Sequence, residues 1–325
     1  MTRAAQRHRL SGLEPDNLLA FLALLGLLRA LETVRPEWRP RAAWDVEQSP
    51  LRPVLTLGVG QMSTAVADAA ADGAARLAKF YRFPADPAPD ASPQNDLNYT
   101  DEVARQLLSA SLADDGRERA DLWAALMSDA AAKDAQIEAT PLCLLFGQGH
   151  QHFLDRLAKV PCLAVTPPRG QGKSTVTPTP GQTMCEALFE PWKRQDPTPA
   201  FRWDPSEDVR YALRADNPAG TKSTTQHGAN RLAALGLAAL TTTPAQRGPR
   251  VRLQVLGGWF ERNDFSFAWP IWRDAASLAA IRALLSHPGL RDGPEALAHL
   301  GVTQVRRTRR IAVGKFMNFI RAEPV

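Results

Sequence analysis

The segment PPRGQGKST, residues 167–175, carries residue types that bind phosphate in nucleotide hydrolases. A phosphate-binding loop requires the pattern G-x-x-x-x-G-K-[ST], followed at once by a helix whose N-terminus holds the phosphate. The first glycine of that pattern falls on Pro167, which fixes φ and has no N–H group. Pro178 and Pro180 then interrupt the helix that should follow. The sequence therefore predicts a polar, cationic loop, either a solvated connector or a contact to a polymeric phosphate backbone. The residues predicted for that contact are Arg169, Gln171, Lys173 and Ser174.

A second segment, TKSTTQHGANR at 221–231, is dense in small hydrogen-bond donors beside cations. These residue types bind phosphates and base edges, and glutamine and asparagine pair well with adenine. Lys222, Gln226 and Asn230 are therefore predicted to contact nucleic acid. Ser223 with His227 could suggest a nucleophile and its base, but no Gly-x-Ser-x-Gly elbow is present. A capped helix N-terminus is the structural alternative.

The C-terminal segment 304–315 concentrates positive charge without any acidic residue. Such an imbalance is typical of a polyanion site, with a solvated face as the alternative. The cations predicted to bind nucleic acid there are Arg306, Arg307, Arg309, Arg310 and Lys315. The aromatic segment 259–272 is predicted to be core. Its alternative is a stacking surface edged by two nucleic-acid contacts, Arg262 and Asn263.

Two further patterns could carry enzyme chemistry. Asp204 and Asp208 form a conceivable carboxylate pair, although the surrounding charges alternate and favour mutual neutralisation. His150 and His152 stand two residues apart, but no Asp, Glu or Cys cluster accompanies them. We therefore expect no catalytic residue, no metal and no cofactor. A free-standing hydrolase or nuclease using Asp204, Asp208 and His227 remains the alternative.

The whole chain has 325 residues and a formal charge of +5, a balance that permits nucleic-acid partners. Its three cysteines form no C-x-x-C pair and are expected to be reduced thiols. The apolar run 18–28 resembles the core of a signal peptide, but Glu14 and Asp16 precede it and it is too short to span a bilayer. We expect a buried helix there, no membrane association and a cytoplasmic location.

The patterning predicts an α+β fold, mostly helical, with small mixed or antiparallel sheets. Helices are expected over residues 15–34, 63–80, 102–109, 117–132, 150–157, 226–240, 277–285 and 294–300. Strands are expected at 41–46, 54–59, 251–256 and 302–313. The predicted organisation is an N-terminal α/β domain (1–166), a polar basic loop (167–182) and a C-terminal α+β domain with a basic tail (183–325).

The segment PDNLLAFLALLGLLR, residues 15–29, resembles the opening of large-subunit proteins of type I CRISPR effector complexes (Cascade). The closest group is type I-G, formerly I-U, in which the pattern P-x-x-L-x-x-(F/Y)-L-x-x-L-G-(V/L)-L-R occurs. The blocks at 202–213 and 228–235, and the Trp-Pro-Ile-Trp stretch at 269–272, are similar to the same kind of protein.

This resemblance implies a subunit without catalysis that takes part in antiviral defence. It would contact the guide RNA handle and the duplex DNA that carries the PAM, while guide pairing supplies sequence specificity. The implied partners are guide RNA, target double-stranded DNA, the other subunits of the effector complex and, at a docking surface, a helicase-nuclease. A structural scaffold that binds guide RNA only is the remaining alternative.

Overall fold

A computed structural model describes residues 6–113, 116–144, 152–169, 175–207, 224–262, 264–313 and 316–325. Its α-helices are α1 (Leu18–Val34), α2 (Ser63–Ala78), α3 (Asp101–Ala113), α4 (Gly116–Leu126), α5 (Phe153–Cys162), α6 (Pro180–Phe189), α7 (His227–Leu237) and α8 (Leu278–Ser286). Its strands are β1 (Gln6–Arg9), β2 (Arg41–Trp44), β3 (Pro53–Leu57), β4 (Ala132–Lys133), β5 (Gln136–Ile137), β6 (Thr242–Arg247), β7 (Arg250–Val255), β8 (Gly258–Glu261), β9 (Asp264–Trp272), β10 (Val302–Val313), β11 (Phe316–Phe319) and β12 (Glu323–Pro324).

The strands form small antiparallel sheets, which confirms the predicted α+β class. Strands β1, β3 and β2 pair in that order, and β11, β10, β9 and β8 form a larger sheet with β12 added along β10. The pairs β4–β5 and β6–β7 are hairpins. Strand β10 has the predicted bounds, and the other predicted strands agree to within two residues.

Helix α1 is buried from its first residue through Leu31, as its apolar sequence predicts. It begins at Leu18 and not at residue 15, because Asn17 is its N-cap. The Asn17 Oδ1 atom accepts a hydrogen bond from the backbone N–H of Ala20 at 3.4 Å. No helix in the described part of the chain is long and apolar enough to cross a membrane.

Helix α7 packs directly on α1 through a pair of glycines. A Cβ atom on Gly26 would lie 1.8 Å from the carbonyl oxygen of Leu232, and one on Gly236 would lie 2.0 Å from that of Leu22. Any side chain at either position would separate the two backbones. The glycines therefore allow the closest approach between these two central helices.

The aromatic segment 259–272 forms β8 and β9, and the prediction that it is core is confirmed. Every residue of β9 after Asp264 is buried. On one face of the sheet Trp269 stacks on Phe21 of α1, with ring centroids 5.1 Å apart. Two 3-10 helices, Pro288–Arg291 and Pro294–Leu300, contact β9 and β10.

Some predicted helix bounds are wrong. The helix predicted over 117–132 ends at Leu126, whose carbonyl oxygen accepts the N–H of Thr140. The helix predicted at 294–300 has the predicted bounds but is a 3-10 helix, flanked by Gly293 at φ 103° and Gly301 at φ 78°. Tertiary contacts and turn glycines thus decided where these helices end.

Helix α6 is absent from the sequence prediction, which assigns residues through 182 to a loop. Pro180 occupies its first turn, where no N–H group is needed. Thr179 and Gln182 form a capping box: Thr179 Oγ1 accepts from the Gln182 N–H at 3.1 Å, and Gln182 Oε1 accepts from the Thr179 N–H at 2.8 Å. The proline therefore starts a helix here.

The hydrophobic core continues across the domain boundary predicted at 167–182. Helix α7 packs on α1, and α6 packs on α2. The buried side chains of these four helices belong to one cluster. In the described residues, the two predicted domains share a single core.

Candidate nucleic-acid interface

The glycine-rich segment at 170–174 is closed at its base by a pair of backbone hydrogen bonds. The N–H of Arg169 donates to the carbonyl of Val176 at 2.8 Å, and the N–H of Val176 donates back at 3.0 Å. The predicted contacts inside this segment lie outside the described residues: Gln171, Lys173 and Ser174.

The sequence predicted that Arg169 contacts nucleic acid. In the structure its side chain points into the protein instead. It is 11% exposed, and its Nε donates to Asp196 Oδ1 at 2.6 Å while its Nη1 lies 2.8 Å from Glu186 Oε2. Burial alone would lower the pKa of Arg169, but the bonds to the two carboxylates raise it. Arg169 is therefore held as a cation in an internal ion pair.

Asp196 joins the base of this first segment to the base of the second one. Its backbone forms two hydrogen bonds with Thr225, at 3.0 and 2.9 Å, and its Oδ2 accepts the N–H of His227 at 2.9 Å. The Thr225 hydroxyl donates in turn to Glu207. Residues on both sides of 208–223 are therefore tied together, beside Arg169. We call the set Arg169, Asp196 and Thr225 the loop anchor.

The loop anchor has no sequence signal that the predictions used. Asp196 stands in the stretch Gln195-Asp196-Pro197, which is typical of an ordinary turn. Its side chain is 1% exposed, which only the packing of remote segments reveals. Asp196 is thus the principal residue that sequence reasoning missed.

Glu207 lies at the edge of this cluster, and burial raises its pKa to about 7, with the carboxylate of Asp204 adding to the effect. The Thr225 hydroxyl and Arg194 oppose that shift. A carboxyl group with this pKa changes charge near neutral pH. Nothing in the local sequence distinguished it from the neighbouring acids.

Asp204, one of the predicted catalytic alternatives, is fully buried and bound on both oxygens. Arg194 Nε donates to Oδ2 at 2.6 Å, and Asn17 Nδ2 donates to Oδ1 at 3.0 Å. These contacts tie the start of α1 to the segment before 208. Asp208, its proposed partner, lies outside the described residues.

The predicted DNA-reading amides Gln226 and Asn230 are 3% and 1% exposed. Gln226 Oε1 accepts the N–H of Arg194 at 3.2 Å, and Asn230 Nδ2 donates to Thr225 Oγ1 at 2.7 Å. Asn230 therefore supports the loop anchor, Gln226 holds the neighbouring Arg194, and neither amide reaches a surface where a base edge could lie. Lys222 and Ser223 lie outside the described residues.

His227, the other catalytic alternative, is fully buried at the start of α7. Its Nε2 contacts the carbonyl oxygen of Leu163 at 2.7 Å, and burial lowers its pKa to about 4. The ring is therefore neutral at neutral pH, with Nε2 as the donor.

Strand β10 places its four arginines on two faces of the sheet, because side chains alternate along a strand. Arg306 and Arg310 share the face that packs towards α1, opposite Trp269 and the neighbouring aromatics. Arg307 and Arg309 share the other face. None of the four forms an ion pair within the described part of the chain, whereas other arginines do, such as Arg105 with Asp129 and Arg321 with Asp16.

The arginines on the α1-facing side of β10 make contacts within the protein, whereas those on the other face make fewer. Arg310 donates to the carbonyl of Pro141 at 2.8 Å and lies 5.5 Å from the Phe265 ring centroid, and burial lowers its pKa. Arg306 donates to Gln304 at 3.0 Å. Arg307 and Arg309 make no side-chain hydrogen bond to the described residues, and Arg309 is exposed. Lys315 lies outside the described residues.

The aromatic edge of the sheet contributes one described cation from the prediction. Arg262 is exposed and adopts φ 54° in the turn between β8 and β9, beside Asn263, which lies outside the described residues. His152, from the predicted histidine pair, contacts Asp96 at 3.1 Å. No group of three potential metal ligands occurs among the residues that the structure describes.

Comparison with protein-family models, with curated proteins and with solved structures found no match to this chain.

Proposed function

We propose that this protein is a non-catalytic, nucleic-acid-binding subunit of a CRISPR RNA-guided surveillance complex. The segment at 15–29 and the blocks that resemble type I-G large subunits support the assignment to such a complex. In this proposal, protein contacts hold the guide RNA handle and the PAM-side duplex, and guide pairing reads the target.

The observation that carries the nucleic-acid part of the proposal is the pair Arg307 and Arg309. They lie two residues apart on one face of β10, so that their Cα atoms are about 7 Å apart. Neither arginine forms an ion pair with a carboxylate of the described residues, although Glu323 of β12 is the direct cross-strand neighbour of Arg307. Two cations repeated along one face of a strand, of which the exposed Arg309 has no carboxylate as a direct cross-strand neighbour, suit a phosphate backbone with its closely spaced negative charges.

The loop anchor supports a second contact region. It brings the ends of two cationic segments to one carboxylate, Asp196. The segments themselves carry Lys173 in the first, and Arg210, Arg214 and Lys222 in the second. PAM-side DNA and the RNA handle would each protect different residues of these two segments and of β10. That protection pattern would show which nucleic acid each of them contacts.

The phosphate contacts are tested with the double variant Arg307→Ala/Arg309→Ala. Removing two phosphate contacts should reduce the magnitude of the negative slope of log K against log[salt] by about 1.4 for a single strand and about 1.8 for a duplex. Binding is measured by fluorescence anisotropy over a salt series. The matched control is Arg105→Ala, which removes an exposed arginine that already pairs with Asp129. An unchanged slope in the double variant would refute the assignment of β10.

Membership of a guide complex is tested by purifying the tagged full chain from its native cells and sequencing the nucleic acid that accompanies it. Short RNAs that share one repeat support the proposal. A clean monomer without nucleic acid contradicts it. Loss of RNA binding with DNA binding intact would instead support the scaffold alternative, and a hydrolytic activity lost in Asp204→Ala would support the enzyme alternative.

A further inference from the structure

A cleft of about 590 Å³ opens between the β6–β7 hairpin and the corner where α8 meets the 3-10 helix Pro288–Arg291. This volume lies within the range of about 300–1,000 Å³ that is typical of small-molecule sites. The cleft is lined in part by apolar side chains: Val255, Leu256, Leu285, Pro288 and Leu290. It therefore offers apolar walls to a flat ligand.

On one wall of the cleft the guanidinium group of Arg291 lies over the aromatic ring of Trp259. The guanidinium carbon of Arg291 lies 5.3 Å from the ring centroid of Trp259. Trp259 is 5% exposed, and its Nε1 donates to Glu261 Oε1 at 2.8 Å, which fixes the indole. Arg291 is exposed over that buried ring. A guanidinium plane held in this way is a surface on which an unstacked base can lie.

Hydrogen-bond acceptors without partners complete the cleft lining. The Nε2 of Gln254 donates to Gly258 at 3.3 Å, while its Oε1 accepts no hydrogen bond from the described residues. The carboxylate of Asp292 forms no ion pair within the described part of the chain. Amide and carboxylate oxygens accept from the exocyclic amines and ring N–H groups of nucleobases.

The register of the large sheet connects this cleft to the arginines of β10. Ser266 of β9 pairs with Trp259 on one side and with Arg309 on the other. Directly paired residues place their side chains on the same face, so Arg309 and Trp259 share one face. They are two strand spacings, about 10 Å, apart. If a phosphate of a single-stranded nucleic acid contacts Arg309, a neighbouring base of the same nucleic acid would therefore lie within reach of the cleft.

We propose that this cleft takes one unstacked nucleobase of a single-stranded nucleic acid. The base lies on the Arg291 guanidinium, and Gln254 and Asp292 accept hydrogen bonds from its polar edge. This inference rests on the proposed function and adds to it a preference for single strands over duplexes at this site.

The test uses the full chain with mixed-sequence 12-mers of RNA and of DNA, single-stranded and duplex, followed by fluorescence anisotropy. Arg291→Lys keeps the charge and removes the planar surface. It should weaken single-strand binding about tenfold, within the range for loss of one stacked base, and leave the salt slope unchanged. Arg291→Ala should weaken binding further and reduce the magnitude of the slope of log K against log[salt] by about 0.7. The control is Arg76→Lys, which alters another exposed arginine, on α2.

Photo-crosslinking with 4-thiouridine oligonucleotides supplies an independent readout. The peptide that contains residues 286–292 should carry the crosslink. An effect of Arg291→Lys on RNA alone would identify RNA as the ligand, and an effect on DNA alone would identify a separated DNA strand; either supports the cleft. If oligonucleotides bind, but Arg291→Lys binds like the wild type and the crosslink maps elsewhere, the cleft proposal is wrong and the proposed function stands. If the wild type binds no oligonucleotide, both proposals are wrong.

Discussion

Replacement of Asp196 should test whether the loop anchor holds the protein together as its contacts indicate. Asp196→Asn keeps the shape of the side chain and an oxygen that can accept the N–H of His227. It removes the negative charge that faces Arg169 at 2.6 Å. Arg169 would then remain 11% exposed with Glu186 as its remaining carboxylate.

Breaking a buried ion pair by removing one partner costs about 3–5 kcal/mol when the other charge is left buried and unpaired. Because Glu186 still pairs with Arg169, we expect a cost at the lower end of that range, about 3 kcal/mol. That is a large fraction of the about 5–15 kcal/mol that stabilises a typical protein. Asp196→Ala also leaves the N–H of His227 without its acceptor, which adds about 1–2 kcal/mol. We therefore expect Asp196→Ala to be less stable than Asp196→Asn, and both to be well below the wild type.

Urea unfolding followed by circular dichroism measures these differences. With a slope of about 3 kcal/mol per M, the midpoint should fall by about 1 M in Asp196→Asn. The control is Asp155→Asn, whose carboxylate pairs with the 66% exposed Lys159 and should matter by less than about 0.5 kcal/mol. Arg169→Met/Asp196→Asn should recover part of the loss, because no buried cation remains. If Asp196→Asn unfolds at the same midpoint as Asp155→Asn, the reasoning about the loop anchor is refuted.

Two further predictions concern packing and pH. Gly26→Ala should lower the free energy of unfolding by at least about 1–3 kcal/mol, because its Cβ would lie 1.8 Å from the Leu232 carbonyl oxygen. The control is Gly60→Ala at an exposed position, which should change the free energy of unfolding by less than about 0.5 kcal/mol. If Gly26→Ala and Gly60→Ala unfold at the same urea concentration, the close contact between α1 and α7 is contradicted. Glu207 has a folded pKa raised from 4.5 to about 7, so it disfavours folding increasingly as pH rises between these values, by at most about 3 kcal/mol. Glu207→Gln should therefore stabilise the protein at pH 8 and have little effect at pH 5. If the thermal midpoints of Glu207→Gln and the wild type differ by the same amount at pH 5 and pH 8, the pKa of Glu207 is not raised.

Sequence patterns predicted the elements whose local and global preferences agree. The run at 18–28 is apolar on every side, so a helix at that place had to be buried, although the helix begins after Asn17 and not at residue 15 as predicted. The predicted bounds of strand β10 are the observed ones, and its β-branched valine, isoleucine and threonine residues lie between Gly301 and Gly314 in the sequence. Pro180 misled the prediction, since proline both ends helices and begins them, and only the capping box distinguishes the two.

The sequence by itself determined the fold class, the central apolar helix and the concentration of cations in β10. Tertiary structure decided which polar side chains remain available to a ligand. Arg169, Gln226 and Asn230 have the right chemistry for nucleic acid, but each is engaged inside the protein. Asp196 pairs with Arg169, the N–H of Arg194 donates to Gln226, and Asn230 donates to Thr225. Arg307 and Arg309 have the same residue type as Arg310, yet Arg310 packs on Phe265. The physical reason is that a residue's type fixes what it can donate or accept, whereas packing between remote segments fixes which partner it meets.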